Sequence, residues 1–456
     1  MTNRHIALAL SLALPACTFD VPDLNRPAVD QILGNPTPAA VAALATGLVA
    51  GERADIAQRI GYVAELGILG RESLVLSGSD DRFVTELLNQ PSLDPGTPNF
   101  GGNFWVNEYA NIRDANYLLD ALPKVTALTD AEKESVRGFA KTMMALDFLK
   151  LVNTRDVNGA AIDVDLPLGQ LAPIVGKDAV FARIALLLDQ AQTHLAAASP
   201  AFPFPLGNGF AGFDTPPQFL LVNRALAGRV AVYRGKFTDA LTALAASFLD
   251  TSAPLTLGAY HSFGNLSGDA QNSLNTTDIL VHPSIISGAE LQSDGVTIDK
   301  RVAAKTALVT PVTLYGETSS YGFTMYPNTD SPVAIIRNEE LILLRAEANI
   351  GLGNLTPAKA DIDFIRVSSG GLKPRCPSLG AGGCVNPAIN AGNILDELLK
   401  QKEYSLLFEG GHRWIDARRY GRLGALPIDQ PGQHVQPAFP IPLVECDARG
   451  GACSPQ

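Results

Sequence analysis

The chain has 456 residues, of which 46% are hydrophobic and 18% are charged, and its net charge is −11. This composition is typical of a folded globular protein and excludes disorder over the whole length. No run of Lys and Arg is present, so we do not expect nucleic acid as a partner. The sequence has no GxSxG, HExxH or P-loop motif, and its six His residues show no metal-ligand spacing. These patterns predict a protein that is not an enzyme and has no cofactor or metal site.

The N-terminus reads as a bacterial secretion signal. Arg4 precedes a short apolar run, Ile6 to Leu14, which is too short to span a bilayer. Leu14-Pro15-Ala16-Cys17 resembles a lipobox, which predicts a signal peptide at residues 1–16 and a lipid (palmitate) on Cys17. Residues 17–38 are Pro-rich and are predicted to tether the anchor to the folded body. The alternative is an ordinary signal peptide in which Cys17 has no special role.

We expect residues 39–456 to form a single, mostly α-helical domain. Thr37 or Asn35 can cap its first helix, and Asp130, after Thr129, can cap the fourth. Apolar periodicity predicts helices over Ala39–Ala50, Arg53–Leu69, Phe104–Leu122, Ala131–Val152, Lys177–Ala198 and Leu395–Leu406. In the last helix we expect a buried stripe formed by Leu395, Leu398, Leu399 and Leu406.

Two segments read as helical hairpins. Phe219–Phe248 is broken at Gly235, and Leu341–Arg366 turns after Gly351. Both are similar to tetratricopeptide repeats, although any helical hairpin gives this pattern. The segment between them, residues 249–336, is a loop-rich insert in which Ala307–Leu314 is a candidate strand.

Several motifs, taken in chain order, resemble those of the SusD/RagB family. They are Ser79-Asp80, Trp105-x3-Tyr109-x2-Ile112-x3-Asn116, Glu403-x5-Glu409-Gly410-x2-Arg413-x2-Asp416-x2-Arg419, and Phe439-Pro440-Ile441-Pro442-x2-Glu445. The resemblance implies a tetratricopeptide-like helical scaffold with long irregular loops and a few short strands. It also implies an outer-membrane lipoprotein, facing the cell exterior, that captures a nutrient, often a glycan, for a TonB-dependent β-barrel transporter of the SusC type. The chain ends in Cys446 and Cys453 where family members commonly show N-P-x-Y, so it is a divergent member.

The charged residues of the signature have a structural interpretation as well as a functional one. Alternating charges near a helix end are mostly ion pairs, and an Arg fork pairs well with a carboxylate. We therefore expect Glu403, Glu409, Arg413, Asp416 and Arg419 to be structural rather than to contact ligand.

Four cysteines remain after Cys17, all in the last fifth of the chain. An oxidising cell envelope favours disulfides, and the short-range pairing joins Cys376 to Cys384 and Cys446 to Cys453. This is one of three possible connectivities. Zinc binding is the competing interpretation, but neither CxxC nor a nearby His is present.

Aromatic residues inside polar loops are the candidate ligand contacts, because sugars stack on exposed aromatic faces while polar groups hold the hydroxyls. The candidates are Trp105, Tyr260, Phe263, Tyr321, Phe323 and Tyr326, with Asp80, Asp81, Asn265 and Asn328 as polar groups. The alternative is that each aromatic ring packs inside its loop.

Nutrient capture is thus the function that the sequence predicts, with an oligosaccharide or a peptide as the nutrient. A tetratricopeptide-type envelope adaptor lipoprotein is the first alternative. A secreted glycoside hydrolase that uses Glu403 and Glu409 is the second.

Overall fold

The computed structural model describes residues 34–167, 169–266, 269–378, 381–451 and 453. The predicted signal peptide, Cys17 and the tether up to residue 33 lie outside these residues, and their roles stay predictions.

Helices dominate the architecture, as the sequence predicts. They are α1 Pro38–Glu52, α2 Tyr62–Leu69, α3 Arg82–Thr85, α4 Val106–Ala121, α5 Asp130–Arg155, α6 Lys177–Ala196, α7 Pro216–Tyr233, α8 Phe237–Ala245, α9 Pro283–Ser287, α10 Lys300–Lys305, α11 Asn338–Gly351, α12 Leu355–Ser368, α13 Ile394–Ser405, α14 His412–Arg419 and α15 Leu443–Ala448. None of the helices in the described part of the chain combines the length and the apolar character needed to cross a membrane.

Local capping explains where two of these helices begin. The Thr37 side chain accepts a hydrogen bond from the Ala40 amide, with Pro38 in the first turn of α1. At α5 the cap is Thr129, not Asp130, and Glu132 completes a capping box with it.

The prediction of a single helix over Arg53–Leu69 is wrong, because only Tyr62–Leu69 is helical. The chain turns through residues 53–60 because the Arg53 side chain bonds to the Ser262 carbonyl and to Asp269, which no local pattern reveals.

The two helical hairpins are present. α7 and α8 are joined at Gly235, whose φ of +67° suits glycine, and α11 and α12 form the second pair. Gly228 lets the first pair approach closely, since a Cβ there would lie 2.6 Å from Leu244 Cδ2. Together with α5 and α6, which pack side by side, these hairpins form the scaffold that carries the loops.

Short strands make up the rest of the regular structure. They are β1 Ser73–Val75, β2 Ala160–Ala161, β3 Ile174–Val175, β4 Gly258–His261, β5 Ile279–Val281, β6 Thr306–Leu314, β7 Glu317–Phe323 and β8 Val333–Arg337. An antiparallel sheet has the order β1-β5-β7-β6, with Leu74 opposite Leu280 and Leu280 opposite Gly322. β4 pairs with β8, and β2 pairs with β3. The candidate strand at Ala307–Leu314 is therefore confirmed as the edge strand β6.

Two large hydrophobic cores meet along a polar seam. One core contains Leu146 and Leu149 of α5, and the other contains Val63 of α2 and Ile415 of α14. A small cavity of about 60 Å³ lies between them, and buried polar residues share its lining, among them Lys150 and His261. Burial lowers the pKa of His261 to about 3, so this imidazole is neutral at physiological pH.

The four distal cysteines form two disulfides. Cys376 is bonded to Cys384 and Cys446 to Cys453, each closing a small loop. No group of three or more His, Cys, Asp and Glu side chains is arranged to hold a metal ion in the described parts of the chain.

Candidate functional site

The signature residues form buried ion pairs that fix α14 to the scaffold. Arg337 at the end of β8 holds Glu409 through two contacts, of 2.7 and 2.9 Å, and Lys305 lies 2.8 Å from the same carboxylate. Burial alone raises the pKa of Glu409, but Arg337 and Lys305 outweigh burial and lower it to about 2. Glu409 is therefore ionised and structural at neutral pH.

A second group of ion pairs joins α11, α13 and α14. Lys402 Nζ lies 2.9 Å from Glu347 and 2.6 Å from Asp416. Arg419 closes the ring, at 2.7 Å from each of these two carboxylates. Arg413 pairs with Glu403 at 3.2 Å and donates to the Arg71 carbonyl. These contacts engage all five signature residues within the protein.

The same contacts weaken the hydrolase interpretation. A glycosidase needs one carboxyl group whose pKa is raised so that it can donate a proton. The pKa of Glu409 is instead lowered to about 2, and Glu403 faces a guanidinium group. Glu409 therefore cannot serve as the general acid that the mechanism requires.

A cleft of about 390 Å³ opens at the start of α4, and we call it the Trp105 cleft. Trp105 forms its floor and is only 4% exposed. The indole Nε1 lies 3.4 Å from Glu445 Oε2, and the Arg155 guanidinium lies 5.4 Å from the centre of the indole ring. Tyr109 packs edge-on against the indole, with 4.8 Å between ring centroids. The indole thus anchors the cleft but offers a ligand little surface.

The tail helix α15 closes one side of the Trp105 cleft. Arg449 Nε donates to Glu445 at 2.7 Å, and the guanidinium group also bonds to the Ala172 carbonyl. The disulfide between Cys446 and Cys453 fixes the end of this helix. The tail motif therefore has a clear role, since Glu445 links the indole of Trp105 to Arg449.

The rim of the Trp105 cleft is apolar and also carries charged side chains. Val106 is 65% exposed and Leu171 is 50% exposed. Arg113 and Asp163 line the cleft, and neither forms an ion pair or side-chain hydrogen bond with any residue that the structure describes. The Arg113 guanidinium also interacts electrostatically with the carboxylate of the neighbouring Asp114. An apolar wall beside this guanidinium and the Asp163 carboxylate suits a ligand that has both hydrophobic faces and hydroxyl groups.

The loop aromatics do not join the Trp105 cleft, whose lining includes neither Tyr260 nor Tyr321. Phe263 and Tyr326 are buried in the second core, and the Tyr326 hydroxyl donates to the Phe408 carbonyl at 2.9 Å. Phe323 stacks on Phe408, with 4.1 Å between ring centroids. Phe263 and Tyr326 therefore pack inside the protein, because the insert folds over the second core, whereas Phe323 is half-buried and has one face covered by Phe408.

The remaining candidates have mixed surroundings. Tyr260 and Tyr321 are half-buried, and the Tyr260 hydroxyl donates to the Thr256 carbonyl. Asp80 accepts two contacts of 2.9 Å from Arg82, which lowers the pKa of Asp80, while Asp81 is exposed. The Asn265 side chain accepts a hydrogen bond from Thr329, and the Asn328 amide bonds to Ser331. Their contact with a ligand stays a prediction.

Sequence reasoning missed the residues that form the rim of the Trp105 cleft. These residues are Val106, Arg113, Asp163, Gln170 and Leu171. One signal was present, because residues 162–166 alternate Asp with aliphatic residues, a pattern without helical periodicity. This pattern does not by itself indicate a cleft. The segment forms a cleft wall because the fold places it over the start of α4.

Comparison with known proteins identifies the fold. No protein-family model matches the sequence, and no curated protein does so either. Among solved structures, a SusD superfamily protein from Bacteroides vulgatus has a TM-score of 0.66 at 15% sequence identity. The match covers 90% of this chain and 97% of the Bacteroides vulgatus chain. Surface glycan-binding protein A from Bacteroides thetaiotaomicron, solved with laminarihexaose, has a TM-score of 0.68 at 13% identity and covers 91% and 98%. A laminarin-binding SusD-like protein has a TM-score of 0.60 at 18% identity, with coverage of 90% and 97%.

These similarities extend over nearly the whole of each neighbour. The chain has the SusD-like fold, which confirms the fold that the sequence predicts. Because all three identities are below one fifth, the similarity defines the architecture and leaves the ligand to be argued from the site.

Proposed function

We propose that this protein is a divergent SusD/RagB lipoprotein that captures a nutrient at the outer-membrane surface and passes it to a TonB-dependent β-barrel transporter. The observation that carries the proposal is the SusD-like fold, matched over about nine-tenths of the chain. The lipobox-like Leu14-Pro15-Ala16-Cys17 supports the lipid anchor. Binding and handover need no catalysis, which agrees with the ion-paired Glu403 and Glu409.

An oligosaccharide is the nutrient that the Trp105 cleft fits best, and a peptide is the alternative. Sugar rings have apolar faces that pack on aliphatic side chains such as Val106 and Leu171. Their hydroxyls can bond to the Arg113, Asp163 and Gln170 side chains. Two of the structural neighbours are described as binding laminarin or as solved with laminarihexaose, which supports this class of ligand.

The adaptor function has one observation in its favour. A groove of about 420 Å³ runs between α6, α7 and α8, with a floor of small residues that includes Ala227 and Ala231. A concave groove on helical hairpins is the surface that a tetratricopeptide adaptor offers to peptides.

A pull-down of the tagged, lipidated full chain from native envelopes, followed by mass spectrometry, distinguishes these functions. We expect one TonB-dependent β-barrel in near-equal amount. Recovery of several soluble envelope proteins without a barrel would contradict nutrient capture and favour the adaptor.

The Trp105 cleft gives a direct binding prediction. A glycan array would first select the oligosaccharide that the wild-type protein binds, and calorimetry would then measure its affinity. We expect Arg113→Ala combined with Asp163→Ala to weaken binding about tenfold, because each lost hydrogen bond to a hydroxyl contributes about 0.5–1.5 kcal/mol.

A second variant tests the apolar wall against a matched control. Leu171→Asp places a charge on the rim and should also weaken binding. Leu186→Asp on α6 alters a leucine of similar exposure outside the Trp105 cleft, and it should leave the affinity unchanged. Equal affinities for all variants would place the glycan elsewhere, and an array without any bound glycan would contradict an oligosaccharide ligand.

A further inference from the structure

A second cleft, which we call the basic cleft, lies where the carboxyl ends of α5, α7 and α14 meet the amino end of α6. Its volume is about 370 Å³, and it shares no lining residue with the Trp105 cleft. The cationic residues that line it are Lys177, Arg234, Lys236, Arg418 and Arg419, and the acidic ones are Asp156 and Asp178. This excess of positive charge is unexpected in a chain whose net charge is −11.

Some of these cations already have partners. Arg419 is held by Glu347 and Asp416, and its guanidinium lies 4.3 Å from the centre of the Tyr233 ring. Arg418 donates to the Asn153 and Pro437 carbonyls, while its buried Nε has no hydrogen bond and lies 3.5 Å from Asp156. Lys177 lies 3.3 Å from the same Asp156 carboxylate. Asp156 is therefore shared between two cations.

Arg234 and Lys236 are different, because neither forms an ion pair or a side-chain hydrogen bond with any described residue. Arg234 is half-buried and Lys236 is exposed at the mouth of the cleft. Two free cations beside the shared Asp156 leave the cleft with positive charge that the protein itself does not neutralise.

Helix dipoles do not account for this cluster. A cation at the carboxyl end of a helix is stabilising, and Arg234 is the C-cap of α7. Lys177, however, is the first residue of α6, at the positive end of that helix, where a cation is unfavourable. Lys236 lies beyond the end of α7. The first turn of α6 already carries the carboxylate of Asp178, so an anion bound between these residues would be favoured by the excess of cations over acidic groups in the cleft and not by the helix end.

The basic cleft also has an aromatic side. Phe181 and Tyr233 pack edge to face, with 6.4 Å between ring centroids, and both are half-buried in the lining. The volume lies in the range of about 300–1,000 Å³ that small-molecule sites occupy, and it is larger than a simple ion needs. We propose that the basic cleft binds a carboxylate-bearing sugar of one or two rings, with its acid group at Lys177, Arg234 and Lys236 and a ring against Phe181 and Tyr233. This inference does not depend on the transporter or on the ligand of the Trp105 cleft.

Calorimetry with galacturonate and digalacturonate tests the proposal, with neutral galactobiose and inorganic phosphate as comparison probes. We expect digalacturonate to bind the wild-type protein, more weakly as salt is raised. The double variant Arg234→Gln/Lys236→Gln should bind it at least about tenfold more weakly, because two charge-assisted contacts are lost. Lys300→Gln, which removes an exposed cation outside the basic cleft, should bind it as the wild type does.

Several outcomes would overturn the proposal. They are no binding of either acidic sugar, equal binding of galactobiose, tighter binding of phosphate than of digalacturonate, or an unchanged affinity in the double variant. Thermal unfolding of each variant is measured in parallel. A purely structural role for Arg234 and Lys236 would lower the unfolding midpoint of a protein that shows no affinity for the acidic sugars.

Discussion

Replacing Lys150 by Met is expected to destabilise the protein by about 3–5 kcal/mol, because it leaves buried carboxylates without their cation. Lys150 Nζ lies 3.2 Å from Glu52, 3.6 Å from Glu108 and 3.6 Å from Asp147, and all four side chains are buried. Burial already raises the pKa of Glu108 and that of Asp147, which shows how poorly this site tolerates negative charge. Urea unfolding at neutral pH measures the loss.

The pH dependence of this loss identifies its cause. Without Lys150 the folded-state pKa values of the carboxyl groups rise further, while the unfolded values stay near 4. The folded variant then keeps protons that the folded wild type has released, so the deficit grows as pH rises above the raised folded-state pKa values of Glu108 and Asp147 in the wild type. The deficit should therefore be smaller at pH 5 than at pH 8. Lys141→Met on the same helix is the control, because Lys141 is half-exposed and bonds to neutral Gln190. A loss of similar size at both Lys positions would contradict the argument.

Elements that depend on neighbours along the chain were predictable from the sequence. The cap at Thr37 and the break at Gly235 follow from residue types within one or two helical turns, whereas at α5 the sequence pointed to Asp130, one residue after the observed cap Thr129. Arg53 is the counter-example. Its partners, Ser262 and Asp269, are more than 200 residues away, and they end the helix that local periodicity continues.

Helix α13 shows why the buried face of a helix was harder to predict. Leu398 is buried as expected, but Leu395 and Leu399 are only half-buried. The buried face instead carries Glu397 and Lys402, whose charges are met by Arg366 and Glu347. A hydrophobic pattern assigns charged residues to solvent and has no means of recognising partners on another helix.

The candidate site was hidden for the same reason. The Trp105 cleft needs the start of α4, the segment near Leu171 and the tail near Glu445, which are brought together only by the fold. The polar composition of the loops also led to a wrong choice of aromatic residues as candidate ligand contacts. Phe263 and Tyr326 lie among polar residues in the sequence, yet the insert packs them into the second core.

The signature illustrates how a family motif can be structural. Its Glu409 is held by Arg337, 72 residues earlier and outside the motif. Arg337 also bonds to Glu339 and to the Ser405 carbonyl, so one guanidinium group joins β8, α11 and α13. The charge pattern is therefore best explained by the need to position α14 and Trp414, whose indole is fully buried beside Phe439 of the tail.

Replacing Arg337 by Met is accordingly expected to destabilise the protein by about 3–5 kcal/mol at neutral pH, the cost of leaving buried carboxylates partly unpaired. Glu409 has a folded-state pKa of about 2 against an ordinary value of 4.5. A depressed pKa stabilises the fold fully above the unfolded value, and this stabilisation is lost as pH falls through the folded value. The gap between wild type and variant should therefore be widest above pH 4.5 and should narrow as pH falls towards 2.

Arg345 provides a matched control for this prediction. It pairs with Asp361 through two contacts of 2.9 and 2.7 Å, the same geometry as Arg337 with Glu409, but its side chain is 33% exposed. Exposed pairs contribute about 0–1 kcal/mol, so Arg345→Met should cost far less in urea unfolding. Arg337→Lys tests the fork, since lysine keeps the charge but cannot hold the carboxylate through two parallel contacts. Full stability in Arg337→Met would mean that the signature's ion pairs do not hold α14 in place, because burial of Trp414 alone would then suffice.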